Sequence, residues 1–169
     1  MMGGTITRRG MALGGLGAVA AATLLSMEQG MADTAEKFPL VKSEEEWRRL
    51  LTPAQFKVLR EHGTERAGTS PLNAEKRPGT FVCAGCGKAL FDAATKFESG
   101  TGWPSFWKPL DTAVGTKTDR SFFMSRTEVH CSNCGGHLGH VFPDGPPPTG
   151  QRYCMNGVAM AFQPKEGVS

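Results

Sequence analysis

The chain has 169 residues, of which 39 % are apolar and 21 % charged, and its formal charge is +3. With 22 Gly and 11 Pro it predicts short strands and many turns, and it excludes collagen, a coiled coil and a multi-pass membrane protein. Ten Phe and three Trp oppose wholesale disorder, and so small and dispersed a charge gives no argument for nucleic-acid binding.

Residues 1–32 read as an address. Thr7-Arg8-Arg9 is a basic start, Met11 to Ser26 is small, apolar and uncharged, and Gly30-Met31-Ala32 offers small residues at a cleavage site. That order is a signal peptide. The apolar run is too short and too rich in Gly and Ala for a good transmembrane helix. Adjacent arginines ahead of it predict twin-arginine export to the periplasm, although Met11 and Ala12 replace the usual bulky pair. An ordinary secretory signal or an uncleaved anchor is the alternative. Residues 33–42 read as a flexible lead-in, and 43–164 as one domain.

Ser43-Glu44-Glu45-Glu46 is a capping box, followed at helical spacing by Trp47, Leu50 and Leu51. A second short helix starts at Thr52-Pro53-Ala54-Gln55, buries Phe56, Val58 and Leu59, and closes at His62-Gly63, with Gly63 in the left-handed position. The pair is expected to pack across one side of a sheet. Residues 64–80 form an irregular loop. Strands are expected over 80–83, 89–91, 96–98, 121–126, 127–131, 139–142 and 152–162, most bounded by Gly or Pro. The fold class is therefore mainly β within α+β: a largely antiparallel β domain carrying short N-terminal helices.

One element occurs twice, as Cys83-Ala84-Gly85-Cys86-Gly87 and Cys131-Ser132-Asn133-Cys134-Gly135. Two Cys-x-x-Cys turns supply four thiolates, and four sulfurs suit one structural Zn2+ in a closed tetrahedral shell. Iron in the same cage and two disulfides are the alternatives. The zinc site would clamp two hairpins distant in sequence and leave no open position for catalysis.

The fifth cysteine, Cys154, lies in Gln151-Arg152-Tyr153-Cys154-Met155-Asn156-Gly157. Alternation along a strand puts Arg152, Cys154 and Asn156 on one face, where a cation and an amide favour a thiolate and can orient a substrate oxygen. A buried structural Cys is the plain alternative. His137 and His140 begin three residues after the second Cys pair, and are candidates for proton transfer or metal ligation. Trp103, between Gly102 and Pro104, makes a rigid aromatic wall, though a core Trp is the commoner role.

Together these segments resemble the methionine-R-sulfoxide reductases, the MsrB family. The matching stretches are LTPAQF, HGTERAGTS, RPGTFVCAGC, FESGTGWPSFW, RTEVHCSNCGGHLGHVF and PPPTGQRYCMNGVAMAF, in order over about 50–162. The resemblance implies two antiparallel sheets in a β-tent with short N-terminal helices and a four-cysteine zinc clamp. It implies Cys154 as nucleophile, flanked by Arg152 and Asn156, with His137 and His140 orienting substrate and handling the proton. It implies Trp103 as the wall for the substrate methyl group with Phe142 nearby, and Cys83, Cys86, Cys131 and Cys134 as the zinc ligands. The expected activity is reduction of the R epimer of methionine sulfoxide, preferably in oxidised proteins or peptides, through a Cys154 sulfenic acid.

One departure matters. Many family members recycle with a second Cys just before the Gly-Trp-Pro motif, and here that place is held by Thr101. A one-Cys cycle in a monomer is expected, with a thioredoxin-like protein or a small thiol such as glutathione as external reductant. A non-enzymatic zinc-ribbon binding module explains the cage but not the His, Trp and RYC-x-N segments. A thiol peroxidase lacks a resolving partner.

Overall fold

Two capping boxes start the fold. The computed structural model describes residues 37–121 and 124–167; the export signal expected over 1–32 lies outside the described residues. Helix α1 (Glu44–Leu50) opens where the Ser43 hydroxyl accepts from the Glu46 N–H and the Glu46 carboxylate accepts from the Ser43 N–H. Helix α2 (Pro53–Leu59) repeats the device with Thr52 and Gln55, and Pro53 sits where no N–H is needed. Trp47, Leu51, Phe56, Val58 and Leu59 are buried, whereas Leu50 is 60 % exposed. The helix is only seven residues long, so its buried place passes from Leu50 to the extended cap residue Leu51.

The end of α2 also departs from expectation. His62 takes the left-handed conformation, with φ +54, and Gly63 does not. The helix stops at Leu59 with Arg60 as cap, and the turn instead closes by a Gly63 N–H bond to the Lys57 carbonyl at 2.9 Å.

Nine strands follow among the described residues: β1 (Gly79–Cys83), β2 (Ala89–Asp92), β3 (Lys96–Phe97), β4 (Ser105–Phe106), β5 (Val114–Asp119), β6 (Arg126–Cys131), β7 (His137–Phe142), β8 (Arg152–Met155) and β9 (Met160–Pro164). They form two antiparallel sheets, β2-β1-β9 and β3-β4-β8-β7-β6-β5. Phe81 of β1 and Phe91 of β2 meet Phe106 of the larger sheet, at ring separations of 4.9 and 4.3 Å. All three are fully buried. Each contributes roughly 1.5–3 kcal/mol by leaving water, which makes this cluster the main apolar tie between the sheets.

The expected strand over 121–126 is not formed. Residues 121, 124 and 125 are outside any strand, while 122 and 123 lie outside the described residues. The strand falls earlier, at β5, whose polar residues line an edge with no apolar alternation to announce it. The expected strand over 152–162 is broken by a 3-10 turn, Gly157–Ala159, and its two halves join different sheets. At the break the chain passes close against Ser70, and a Cβ at position 157 would run into that side chain, so only Gly fits there.

Residues 37–42 lie against the second Cys turn. Leu40 donates its N–H to the Asn133 carbonyl at 2.8 Å, and Phe38 packs edge-on against His130.

Candidate active site

The two Cys turns are built alike. In each, a strand ends on the first Cys, and the Gly after the second Cys donates its N–H back to that first carbonyl, at 2.8 Å for Gly87 and 2.9 Å for Gly135. Both glycines have left-handed φ, +73 and +67. All four sulfurs fall within 4.8 Å of one another, with Cys83–Cys134 at 3.8 Å and Cys86–Cys131 at 3.6 Å. A disulfide would need about 2.05 Å. A tetrahedral ion with metal–sulfur bonds of about 2.3 Å has ligand–ligand edges of about 3.8 Å. The four thiols therefore fit one metal ion. It would tie β1 of the smaller sheet to β6 of the larger, and Arg60 of the segment after α2 braces it by donating to the Cys134 carbonyl at 3.0 Å.

Cys154 is apart from this cage, half-buried on β8 and paired across strands with Ser105 of β4 and His140 of β7. It lines a cavity of about 130 Å³ with Trp103, His140, Phe142, Met155 and Asn156. Four sequence candidates thus meet Cys154 at one place. The wall is fixed by the Trp103 indole N–H, which donates to the Glu65 carbonyl at 3.1 Å. Arg152 does not line the cavity. Its guanidinium grips Asp144 through two hydrogen bonds of 2.9 and 2.8 Å, stacks on Phe142 at 4.5 Å, and interacts electrostatically with the Cys154 thiol.

Asn156 reaches the cavity, but not by strand alternation, since β8 ends at Met155. Its side chain is committed to the fold. The amide donates to the Leu138 carbonyl at 3.0 Å and its oxygen accepts from the Glu65 N–H at 2.9 Å.

The two histidines differ. His140 Nε2 donates to Asp119 Oδ2 at 2.8 Å, which leaves Nδ1 of the neutral ring as a base. Burial pushes the imidazole below its ordinary range, against the opposing pull of Asp119. Bonds from the Ser121 N–H and hydroxyl, then His140, hold the Asp119 carboxyl well below the usual carboxylate range. Arg126 Nη2 reaches the same oxygen at 2.8 Å.

His137 is buried behind this layer and does not line the Cys154 cavity; its Nδ1 donates to Glu128 Oε1 at 2.8 Å. His62 Nδ1 approaches the same oxygen at 3.1 Å, placed there by its left-handed backbone. Burial opposes ionisation of Glu128, but the bonds from His137 and His62 outweigh it and hold the carboxyl low. His62, Glu128 and His137 are close enough to hold a metal, yet Lys117 Nζ occupies the other Glu128 oxygen at 3.2 Å, so the group is a satisfied hydrogen-bond cluster.

A hydroxyl chain runs beneath the thiol. Thr101 Oγ1 lies 3.8 Å from Cys154 Sγ, Ser99 Oγ bridges Thr101 and Ser105 at 2.8 and 2.7 Å, and Ser105 donates to the Trp103 carbonyl at 3.2 Å. A larger cavity of about 480 Å³ between α2, the 64–72 segment and Gly157–Val158 is lined by no cysteine or histidine.

Sequence reasoning missed Asp119, Arg126, Glu128 and Glu65. Arg126, Glu128 and His130 alternate along one face of β6, and a Glu there beside apolar Val129 is a usable signal. Asp119 and Glu65 give none, because each acts on a partner far along the chain.

A two-sheet domain carrying four clustered thiols that fit one metal ion, and a separate thiol beside a carboxylate-held histidine, defines a class of thiol-dependent proteins. The SelR domain matches residues 51–164. The peptide methionine sulfoxide reductase MsrB of Methanosarcina barkeri is 56 % identical over 126 residues, 74 % of this chain and 89 % of that one. Its counterparts from Bradyrhizobium diazoefficiens and Pseudomonas putida are 54 % and 55 % identical, covering 75 % of this chain and 91 % and 96 % of theirs. The chain belongs to the SelR-domain family, that of the MsrB proteins.

Proposed function

We propose that the protein reduces the R epimer of methionine sulfoxide, in oxidised proteins or peptides, with Cys154 as nucleophile. The observation that carries this is the meeting of Cys154 and His140 as cross-strand partners in one cavity walled by Trp103 and Phe142. The relatives' printed name, peptide methionine sulfoxide reductase, supports the substrate class.

The chemistry follows from the residues. His140 Nδ1 takes the Cys154 thiol proton and passes it to the sulfoxide oxygen, which makes the sulfoxide sulfur electrophilic. The thiolate attacks, the S–O bond breaks, and the oxygen ends on Cys154 as sulfenic acid. The substrate sulfur gains two electrons and the Cys154 sulfur loses two. An external thiol then attacks Cys154 Sγ and releases water, and a second thiol frees the enzyme thiol as a disulfide leaves. Trp103 and Phe142 hold the methyl group, while His140 faces the oxygen, and that asymmetry selects one epimer. Arg152 holds positive charge near the reacting sulfur.

Cys83, Cys86, Cys131 and Cys134 would hold a single Zn2+. A shell closed by four thiolates would fix the ends of β1 and β6 and leave no open position for the reaction. We also propose a twin-arginine signal over residues 1–32 and a periplasmic location, with the folded, metal-loaded domain exported as a monomer. The support is Arg8-Arg9 ahead of an uncharged apolar run.

A single turnover tests the reaction. The reduced protein is offered each epimer separately with no recycling thiol, methionine is counted and the intact protein weighed. One methionine per chain from the R epimer, with one oxygen added at Cys154, is expected. No product from either epimer would leave Cys154 a structural thiol and make the chain a metal-ribbon binding module.

A further inference from the structure

Four atoms of one residue, Glu65, tie the two sides of the Cys154 cavity together. Its backbone carbonyl accepts from the Trp103 indole at 3.1 Å, and its backbone N–H donates to Asn156 Oδ1 at 2.9 Å. Its carboxylate accepts from two consecutive N–H groups, a short bond from Gly157 through Oε1 and one of 3.0 Å from Val158 through Oε2. One side is thus the aromatic wall. The other is the segment that begins two residues after the nucleophile.

We propose that Glu65 is a positioning residue for the reaction, setting the distance between the Trp103 wall and the Cys154 thiol and so the discrimination between sulfoxide epimers. This rests on the sulfoxide-reductase reading of the same cavity. The assignment follows from what alternatives the neighbours have. Gly157 and Val158 start the 3-10 turn, and the first N–H groups of such a turn have no partner within it. Among the described residues no cation is paired with Glu65, so its charge is balanced by these N–H donors. The link is reinforced nearby: the Gly68 N–H and the Asn73 amide both donate to the Gly102 carbonyl, at 2.7 and 3.0 Å, next to the Trp103 backbone. The 64–73 segment is therefore tied to the wall by three hydrogen bonds, through Glu65, Gly68 and Asn73, and to the nucleophile's strand end by three, all through Glu65. Glu65 supplies the tie to the strand end.

An amide in place of the carboxylate can accept from only one of the two N–H groups and turns its NH2 toward the other. A carboxylate on a shorter stem keeps the charge and both acceptors. Glu65→Gln should therefore release the strand end while Glu65→Asp restores much of it.

The experiment compares wild type, Glu65→Gln and Glu65→Asp in steady-state reduction of each epimer of a methionine-sulfoxide peptide, with metal content and melting measured alongside. Displacement of a reacting group by a fraction of an ångström to one ångström costs on the order of 10- to 100-fold. The expected result for Glu65→Gln is a loss of about tenfold or more in the epimer ratio of kcat/KM, carried mainly by KM, with metal content unchanged and partial recovery in Glu65→Asp. A Trp103→Phe background, which removes the indole N–H, should shrink the effect of Glu65→Gln, because the two changes cut the same connection. If Glu65→Gln does not fold, the epimer ratio of Glu65→Asp decides: a ratio shifted with metal retained supports the proposal, an unchanged ratio overturns it. An active wild type with the same epimer ratio in both variants also overturns it. A wild type inactive on both epimers overturns the reductase reading instead.

Discussion

His140 and Asp119 are joined by a 2.8 Å hydrogen bond from Nε2 to Oδ2, although they lie on different strands with β6 between them. The bond fixes the tautomer of the neutral ring, with Nε2 protonated and Nδ1 left as the base. Asp119→Asn keeps an acceptor but removes the charge that stabilises the protonated imidazole. Its kcat for sulfoxide reduction should fall about 10- to 100-fold, with KM and metal content nearly unchanged. Equal kcat in a single-turnover assay would remove Asp119 from the reaction.

The pH profile has a defined sign. His140 acts as a base in the free enzyme, and burial depresses its affinity for protons. The acid limb of kcat/KM should therefore lie below the ordinary histidine value of about 6.5. Asp119 pulls that value upward, so Asp119→Asn should move the limb to still lower pH. Stability behaves separately. The depressed carboxyls of Asp119 and Glu128 stabilise the fold above the ordinary carboxylate range, and that contribution is lost as pH falls through and below it. Melting curves between neutral and acid pH distinguish the two effects.

Thr101 is 3.8 Å from the Cys154 sulfur. A thiol at that position is within reach of a Cys154 sulfenic acid. Thr101→Cys should end a single turnover as an internal disulfide, two hydrogens lighter than the reduced chain, whereas the wild type should end one oxygen heavier. Intact mass followed by peptide mapping separates these products. A variant that retains the oxygen would show that the 101 loop cannot close on the thiol.

The four-thiol cluster, read as a zinc site, makes a stability prediction. Cys134→Ala removes one ligand and exposes three thiols that no longer share an ion. The variant should bind zinc far more weakly and melt at least about 10 °C lower than the loaded wild type. Metal analysis and calorimetry on the same sample check both. An unchanged melting temperature with zinc lost would mean that the apolar ties at Phe81, Phe91 and Phe106 carry the sheet contact alone.

What is legible in the sequence is local or repeated. Ser43-Glu46 and Thr52-Gln55 act over three residues, and both helices start where those pairs place them. The twin Cys turns are legible because each contains its own geometry, and so the four-thiol cluster is readable without coordinates. The resemblance locates Cys154, Trp103 and His140 together. What escapes is long-range or weakly patterned. Strand β5 is a polar edge, while the apolar Phe122 and Phe123 draw the expectation further along the chain. Asn156 reads as a strand residue, yet its place is set by Leu138 and Glu65, far away in sequence. Spacing gives His137 and His140 the same standing, and their rings do lie edge-on 5.4 Å apart, but His137 is buried against Glu128 and of the two only His140 lines the Cys154 cavity.

The smaller sheet places β1 in the middle, with β9 as its outer partner from Met160 to Pro164. Strand β1 thus waits for a strand made much later. A growing chain can form the helices and the β1–β2 hairpin early, but it cannot complete either described sheet until β8 and β9 have left the ribosome. Cys154 belongs to β8, so the nucleophile is assembled late, and a chain cut just after Gly157 would lose β9 and the fixed end of its active-site strand together.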